Sequence, residues 1–276
     1  VDLEELTGTG SDGRITKADV IEFVEGRSTG VGSKLVNGEV LAATNVTGEP
    51  LSAIRQTIAE HMLLSRRTAA HVHTVFDIDF SVISVLRENH RESYAEEGIT
   101  LTYLGFIAKA VAMTIPEVPT INAKVGADGQ RVIYNEDVNL GIAVALDEGL
   151  VVPVIRQANQ QSLRQISRSV SQLAQRAKSQ TLSVDDVGEG TFTITNPGVF
   201  GSIFGMPIIH QPQVAILCVG AIEKRPTVVD GSDRIEARPR CYLTLGFDHR
   251  LIDGAVADRF MSSLKSRLES FDSVLL

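Results

Sequence analysis

The 276-residue chain is poor in cysteine, has no excess of positive charge and contains no long apolar run. Its two cysteines, Cys218 and Cys241, sit apart inside the apolar stretches VAILCVG and RCYLTLGF. That arrangement argues against a disulfide scaffold and fits packed thiols in a reducing, intracellular compartment. Basic residues number 26 against 34 acidic, a net charge of −8, which argues against a dominant nucleic-acid footprint. No apolar run approaches the roughly 18 residues that span a bilayer. The opening VDLEELTG has neither the basic nor the apolar region of a secretory signal. A GxSxG elbow, an HExxH pair and a P-loop are also lacking. What is present is ordinary for a globular enzyme: 43% hydrophobic and 22% charged residues, in a length suited to one large or two ordinary domains.

Residues 1–26 read as a short unit of their own, with a glycine-rich loop and then a helix capped by Thr16, carrying Val20, Ile21, Phe23 and Val24 on its apolar side. Twenty-odd residues cannot bury a core alone. Residues 27–48 have weak periodicity and scattered Gly, Ser and Thr, as a linker does. From residue 49 to 276 the chain reads as one domain. A helix is expected over 52–67, with Ile54, Ile58 and Met62 on one stripe. HVHTVFDIDFS reads as a strand, followed by a helix from Val82 to His90, and a further helix runs from Thr102 to Ile115. LGIAVAL and LVVPVI are two strand-like runs joined at Asp147-Glu148-Gly149, a hairpin pattern. Leu163, Ile166, Val170, Leu173 and Ala177 form the stripe of an amphipathic helix. TFTIT, QVAILCVGAI and RCYLTLGF supply more strands, and a last helix spans about 255–269. The fold class is mixed α/β (α+β), without the steady alternation of a doubly wound sheet.

Two patterns invite chemistry that their surroundings do not support. Gly8-Thr9-Gly10-Ser11-Asp12-Gly13 matches GxGxxG, but no buried strand precedes it and no βαβ unit follows, so a tight turn is the better reading. His71 and His73 lie two apart on a strand and share a face, yet no acidic or cysteine cluster completes a metal site, and no metal is expected. His61 and His90 fall on exposed helix positions without an evident chemical role.

The segment Phe247-Asp248-His249-Arg250-Leu251-Ile252-Asp253-Gly254 is different. His249 follows an apolar strand, at a strand end where side chains reach a cleft. Asp253 comes four residues later and can hold the loop, and Gly254 permits an unusual backbone angle before the last helix. Spacing alone leaves open a purely structural histidine–aspartate tie. In Thr191-Phe192-Thr193-Ile194-Thr195-Asn196-Pro197-Gly198, alternation places the three threonines on one face, with Thr195 at the strand's end. A threonine there could equally bond only the turn backbone.

Taken together, DHRLIDGA, IRQTIAEHM, FIAKAVA, PTINA, NLGIAVALDEGLVVPVI, TFTITNPGVFG and AIEKRP resemble the catalytic domain of the dihydrolipoamide acyltransferases of 2-oxo-acid dehydrogenase complexes. The resemblance covers essentially all of residues 49–276. Residues 3–24 resemble the later half of the peripheral subunit-binding domain that precedes it, and the lipoyl domain is expected outside this chain. The resemblance implies a mixed sheet flanked by helices, a chloramphenicol-acetyltransferase-like fold. It implies homotrimers with the active site between subunits, building a larger cubic or dodecahedral core that binds 2-oxo-acid decarboxylase and dihydrolipoyl dehydrogenase. The substrates implied are coenzyme A and a lipoyl arm, with neither nucleic acid nor membrane as partner. The location implied is cytoplasmic, or the mitochondrial matrix in a eukaryote. By resemblance His249 is the general base, Thr195 the oxyanion donor, and Asp253 an aspartate held by an ion pair, for which Arg55 is the candidate partner. A coenzyme-A-dependent acyltransferase of the same fold and an inactive scaffold are the alternatives. The acyl group, whether acetyl, succinyl or branched, is left open.

Overall fold

A computed structural model describes residues 48–146, 149–229 and 231–276. The chain divides between Leu51 and Ser52. The tight turn and helix expected within residues 1–26, and the linker up to residue 47, lie outside the described residues. From Ser52 onward the elements run α1 (Ala53–Thr68), β1 (His71–Asp79), α2 (Ser81–Glu96), α3 (Tyr103–Thr114), β2 (Ala123–Val125) and β3 (Val132–Tyr134). They continue with β4 (Leu140–Ile142), β5 (Val144–Leu146), β6 (Gly149–Val151), β7 (Val154–Ile155), α4 (Leu163–Lys178) and β8 (Phe192–Thr195). The last are β9 (Ala215–Val219), β10 (Glu223–Val228), β11 (Ile235–Asp248) and α5 (Gly254–Glu269).

Seven strands form the main sheet in the order β1-β11-β9-β8-β4-β7, with β10 pairing the first half of β11. The pairs β9–β8 and β8–β4 are parallel, and the others are antiparallel. All five residues of β9 are buried, which is why this segment reads as an unbroken apolar run rather than an alternating one. Helix α3 is apolar apart from Lys109, whose ammonium donates to the Gln161 carbonyl, and is buried almost throughout, as expected of a helix walled in by others. It packs against α4 and α5. In α4 the whole predicted stripe is buried, and Ser162 and Gln165 close a capping box at its start. Phe192 of β8 and Phe260 of α5 meet at 6.1 Å between ring centroids, joining sheet and helix layer in one core.

Several elements depart from the sequence expectation. The helix expected to end at His90 continues to Glu96, because Tyr94 is fully buried, and it stops where Gly98 takes φ +71°. LGIAVAL and LVVPVI each split in two. Their outer parts stay in the main sheet as β4 and β7, while β5 and β6 separate as a hairpin. Pro153 stands at that break, without an N–H to donate, and its carbonyl accepts the Ile142 N–H at 2.8 Å. Of the apolar stripe on α1, Ile58 and Met62 are half-buried while Ile54 is 55% exposed, and Ser65 is the fully buried residue of that helix.

Candidate active site

His249 stands in the turn that follows β11. Asp248, 1% exposed, ends the strand and accepts hydrogen bonds from the Ala70 N–H (3.1 Å), the Arg250 N–H (3.1 Å) and the Arg250 guanidinium (2.7 Å from Nη2). Burial would raise this carboxyl, but the bonds from Arg250 and Ala70 outweigh it and hold its pKa below the usual value. The His249 N–H donates in turn to the Ala70 carbonyl at 2.8 Å. The turn is therefore fastened to the start of β1 through both residues, while the imidazole is exposed with its centroid 6.0 Å from the Phe247 ring. Asp253 is the N-cap of α5 and accepts the Val256 N–H at 2.8 Å. Asp248 and Asp253 thus anchor the two ends of the histidine turn. Gly254 does not take an unusual backbone angle: it is the first residue of α5 and has no positive φ. Arg55 lies exposed in the first turn of α1, its N–H on the Ser52 hydroxyl, and within the described residues no ion pair joins it to Asp253.

Thr195 closes β8 opposite Cys218 of β9. It lines a cleft of about 370 Å³ together with Met62, Leu150, Val152, Met206 and Ile216. Thr193 lines the same cleft, but its hydroxyl is committed to Gln213 Oε1 at 2.7 Å. The turn after Thr195 is seated closely: a Cβ on Gly198 would overlap the Gly220 backbone, and one on Gly220 the Ile203 carbonyl.

One chain does not bring His249 and Thr195 together. Thr195 pairs with Cys218, whereas the Asp248 N–H bonds the Val214 carbonyl at the other end of β9. Four residues along a strand are roughly 13 Å, and two strand spacings add about 10 Å across the sheet. No histidine–threonine contact closes that gap.

Two further groups escaped the sequence reading. His71 and His73, weighed only as metal ligands, fasten the segment 207–209. The Ile209 N–H donates to His71 Nε2 (3.0 Å), His73 Nε2 donates to the Pro207 carbonyl (3.0 Å), and the Ser65 hydroxyl donates to the Ile209 carbonyl (2.5 Å). His71 Nδ1 meets the Ala69 carbonyl at 3.1 Å, so the ring is the neutral Nδ1–H tautomer, and burial pushes its pKa down. The second is His210. It lines both the Thr195 cleft and an adjoining polar hollow of about 710 Å³. Burial first, and then His61 with its ring centroid 6.3 Å away, lower its pKa. The strand alternation of HVHTV placed the first pair on one face, but no pattern marks His210.

Comparison with known proteins adds to this geometry. Residues 43–276 match the family described as 2-oxoacid dehydrogenases acyltransferase (catalytic domain), and residues 1–21 match an e3 binding domain. The chain is 36% identical over 280 residues to the dihydrolipoyllysine-residue succinyltransferase component of the 2-oxoglutarate dehydrogenase complex of Rickettsia felis, covering 100% of this chain and 68% of that protein. It is 35% identical over 296 residues to the lipoamide acyltransferase component of the branched-chain alpha-keto acid dehydrogenase complex of Bacillus subtilis, covering 99% and 68%. Among solved structures, a probable dihydrolipoamide acetyltransferase from Listeria monocytogenes superposes with a TM-score of 0.79 at 36% identity, covering 84% of this chain and 99% of that one. The dihydrolipoamide acetyltransferase of Azotobacter vinelandii, studied for the roles of a serine, a histidine and an asparagine in its catalytic mechanism, superposes at 0.81 with 32% identity, covering 87% and 98%.

Proposed function

This chain belongs to the 2-oxo-acid dehydrogenase acyltransferase family, and we propose that it moves an acyl group between dihydrolipoamide and coenzyme A at a site shared by two copies of the chain. The observation that carries this reading is the exposed imidazole of His249 on a turn tied down by Asp248 and Asp253. A free thiol has a pKa near 8.5 and is mostly protonated at neutral pH. His249 takes the proton from the attacking thiol, and the sulfur bonds to the thioester carbonyl carbon. The carbonyl oxygen becomes an oxyanion, which accepts a hydrogen bond from Thr195 of the neighbouring copy. One such donor is typically worth about 2.7–4 kcal/mol. Collapse breaks the original carbon–sulfur bond, and the imidazolium returns its proton to the departing thiolate.

The separation of His249 and Thr195 along β9 supports a shared site, and a closed ring of three copies is the assembly proposed. The e3 binding match supports docking of dihydrolipoyl dehydrogenase or 2-oxo-acid decarboxylase by the N-terminal segment, and the lipoyl group that reaches the site is carried on a separate domain. The test is a thiol-release assay with acyl-CoA donors and dihydrolipoamide, run on the wild type and on His249→Ala. General acid–base help of about 10²–10⁴-fold should be lost in the variant while its assembly is unchanged. A correctly assembled variant with near wild-type turnover overturns the mechanism.

A further inference from the structure

The acyl group bound to the oxyanion carbon must lie beside Thr195, so the walls of that cleft decide which acyl groups are accepted; this step rests on the functional reading above. Among the described residues that line the cleft there is no lysine or arginine. Its walls are built from Met62, Leu150, Val152, Met206 and Ile216, all without charge. Of the polar lining groups, Thr193 is spent on Gln213. Cys218 is a buried thiol, a group that never carries the positive charge a carboxylate would need. Among this chain's described lining residues His210 is the one side chain that could become a cation, and burial together with His61 of α1 favours its neutral form. The hollow on the other side of His210 is lined by Glu136, Asp137 and Glu189 against a single Lys124.

We propose that the site selects uncharged aliphatic acyl groups, branched ones included, and rejects acyl groups that end in a carboxylate. A succinyl carboxylate brought against these walls would lose water without gaining a cationic partner from this chain's cleft, and an unpaired buried charge is strongly unfavourable. An isobutyryl group meets instead the apolar contacts of leucine, valine and methionine, and methionine side chains adapt to branched shapes. The 370 Å³ of the cleft leaves room for a branched chain beside the arm that carries it.

The experiment compares acetyl-, isobutyryl- and succinyl-CoA as donors to dihydrolipoamide, using the assembled full chain. Succinyl transfer is expected to be slower in kcat/KM than the better uncharged donor by about a hundredfold or more. Succinyl transfer within threefold of the best donor overturns the inference and leaves the acyltransferase reading standing. A wild-type chain that transfers none of the three overturns both. A second measurement uses Met206→Arg, at a rim position that is 67% exposed and tolerates a long side chain. The added cation should raise the succinyl-to-isobutyryl ratio by roughly tenfold. A folded, active variant with an unchanged ratio also counts against the proposal.

Discussion

At the scale of single residues, the groups around His249 have little freedom. The Asp248 carboxylate collects the Ala70 N–H and the Arg250 fork and so fixes the turn. Thr195 is positioned by pairing rather than by side-chain bonds, since β8 lies between β4 and β9. If its hydroxyl meets the oxyanion only in the transition state, Thr195→Ala should lower kcat by roughly 10²–10³-fold with little change in the affinity for coenzyme A. Thr195→Ser should retain most activity because the donor is kept. Calorimetric titration with coenzyme A, set beside steady-state rates, checks both halves; serine and alanine variants that behave alike would make Thr195 a packing residue.

At the scale of elements, the segment 207–209 is held by α1 and β1 through Ser65, His71 and His73. The His71 bond needs an unprotonated Nε2. Its folded pKa lies below the ordinary value of about 6.5, chiefly because of burial, so the folded state binds fewer protons than the unfolded one. The stabilisation is therefore complete above about pH 6.5 and is lost as pH falls through the folded value. Denaturant midpoints followed from about pH 7.5 to 5 should decline more steeply in the wild type than in His71→Gln; parallel curves would exclude the histidine. The elements differ in how much of this was visible beforehand. The stripe of α4 and the apolar run of β9 were legible because burial alone dictates them. The split of LGIAVAL and LVVPVI was not, since it depends on Pro153 and on which strands of a distant segment lie alongside. The exposed Ile54 on α1 was missed for the same reason: periodicity states that a helix has an apolar face, not what covers it. The His249 turn was legible as a motif, whereas the anchoring role of Asp248 emerged only once β1 was seen beside β11. His210 carried no pattern at all, because its position comes from a tertiary clamp.

At the scale of the whole molecule, the register of β9 separates His249 from Thr195, and the shared site proposed for them can be tested by mixing. Chains with His249→Ala and chains with Thr195→Ala, unfolded together and reassembled, should complement one another. In a randomly mixed closed ring, about a quarter of the shared sites would receive an intact histidine from one copy and an intact threonine from the next. Each variant reassembled alone gives the baseline, and native mass measurement verifies that the rings are mixed. Activity no higher than the baseline would exclude a shared site. The same register has a consequence for the life of the protein before assembly. If the site is shared, a newly made single chain, whose imidazole and hydroxyl lie beside opposite ends of β9, should be chemically silent toward thioesters. Acyl donors would then not be squandered by hydrolysis on unpartnered chains, and catalysis would begin only once quaternary structure exists.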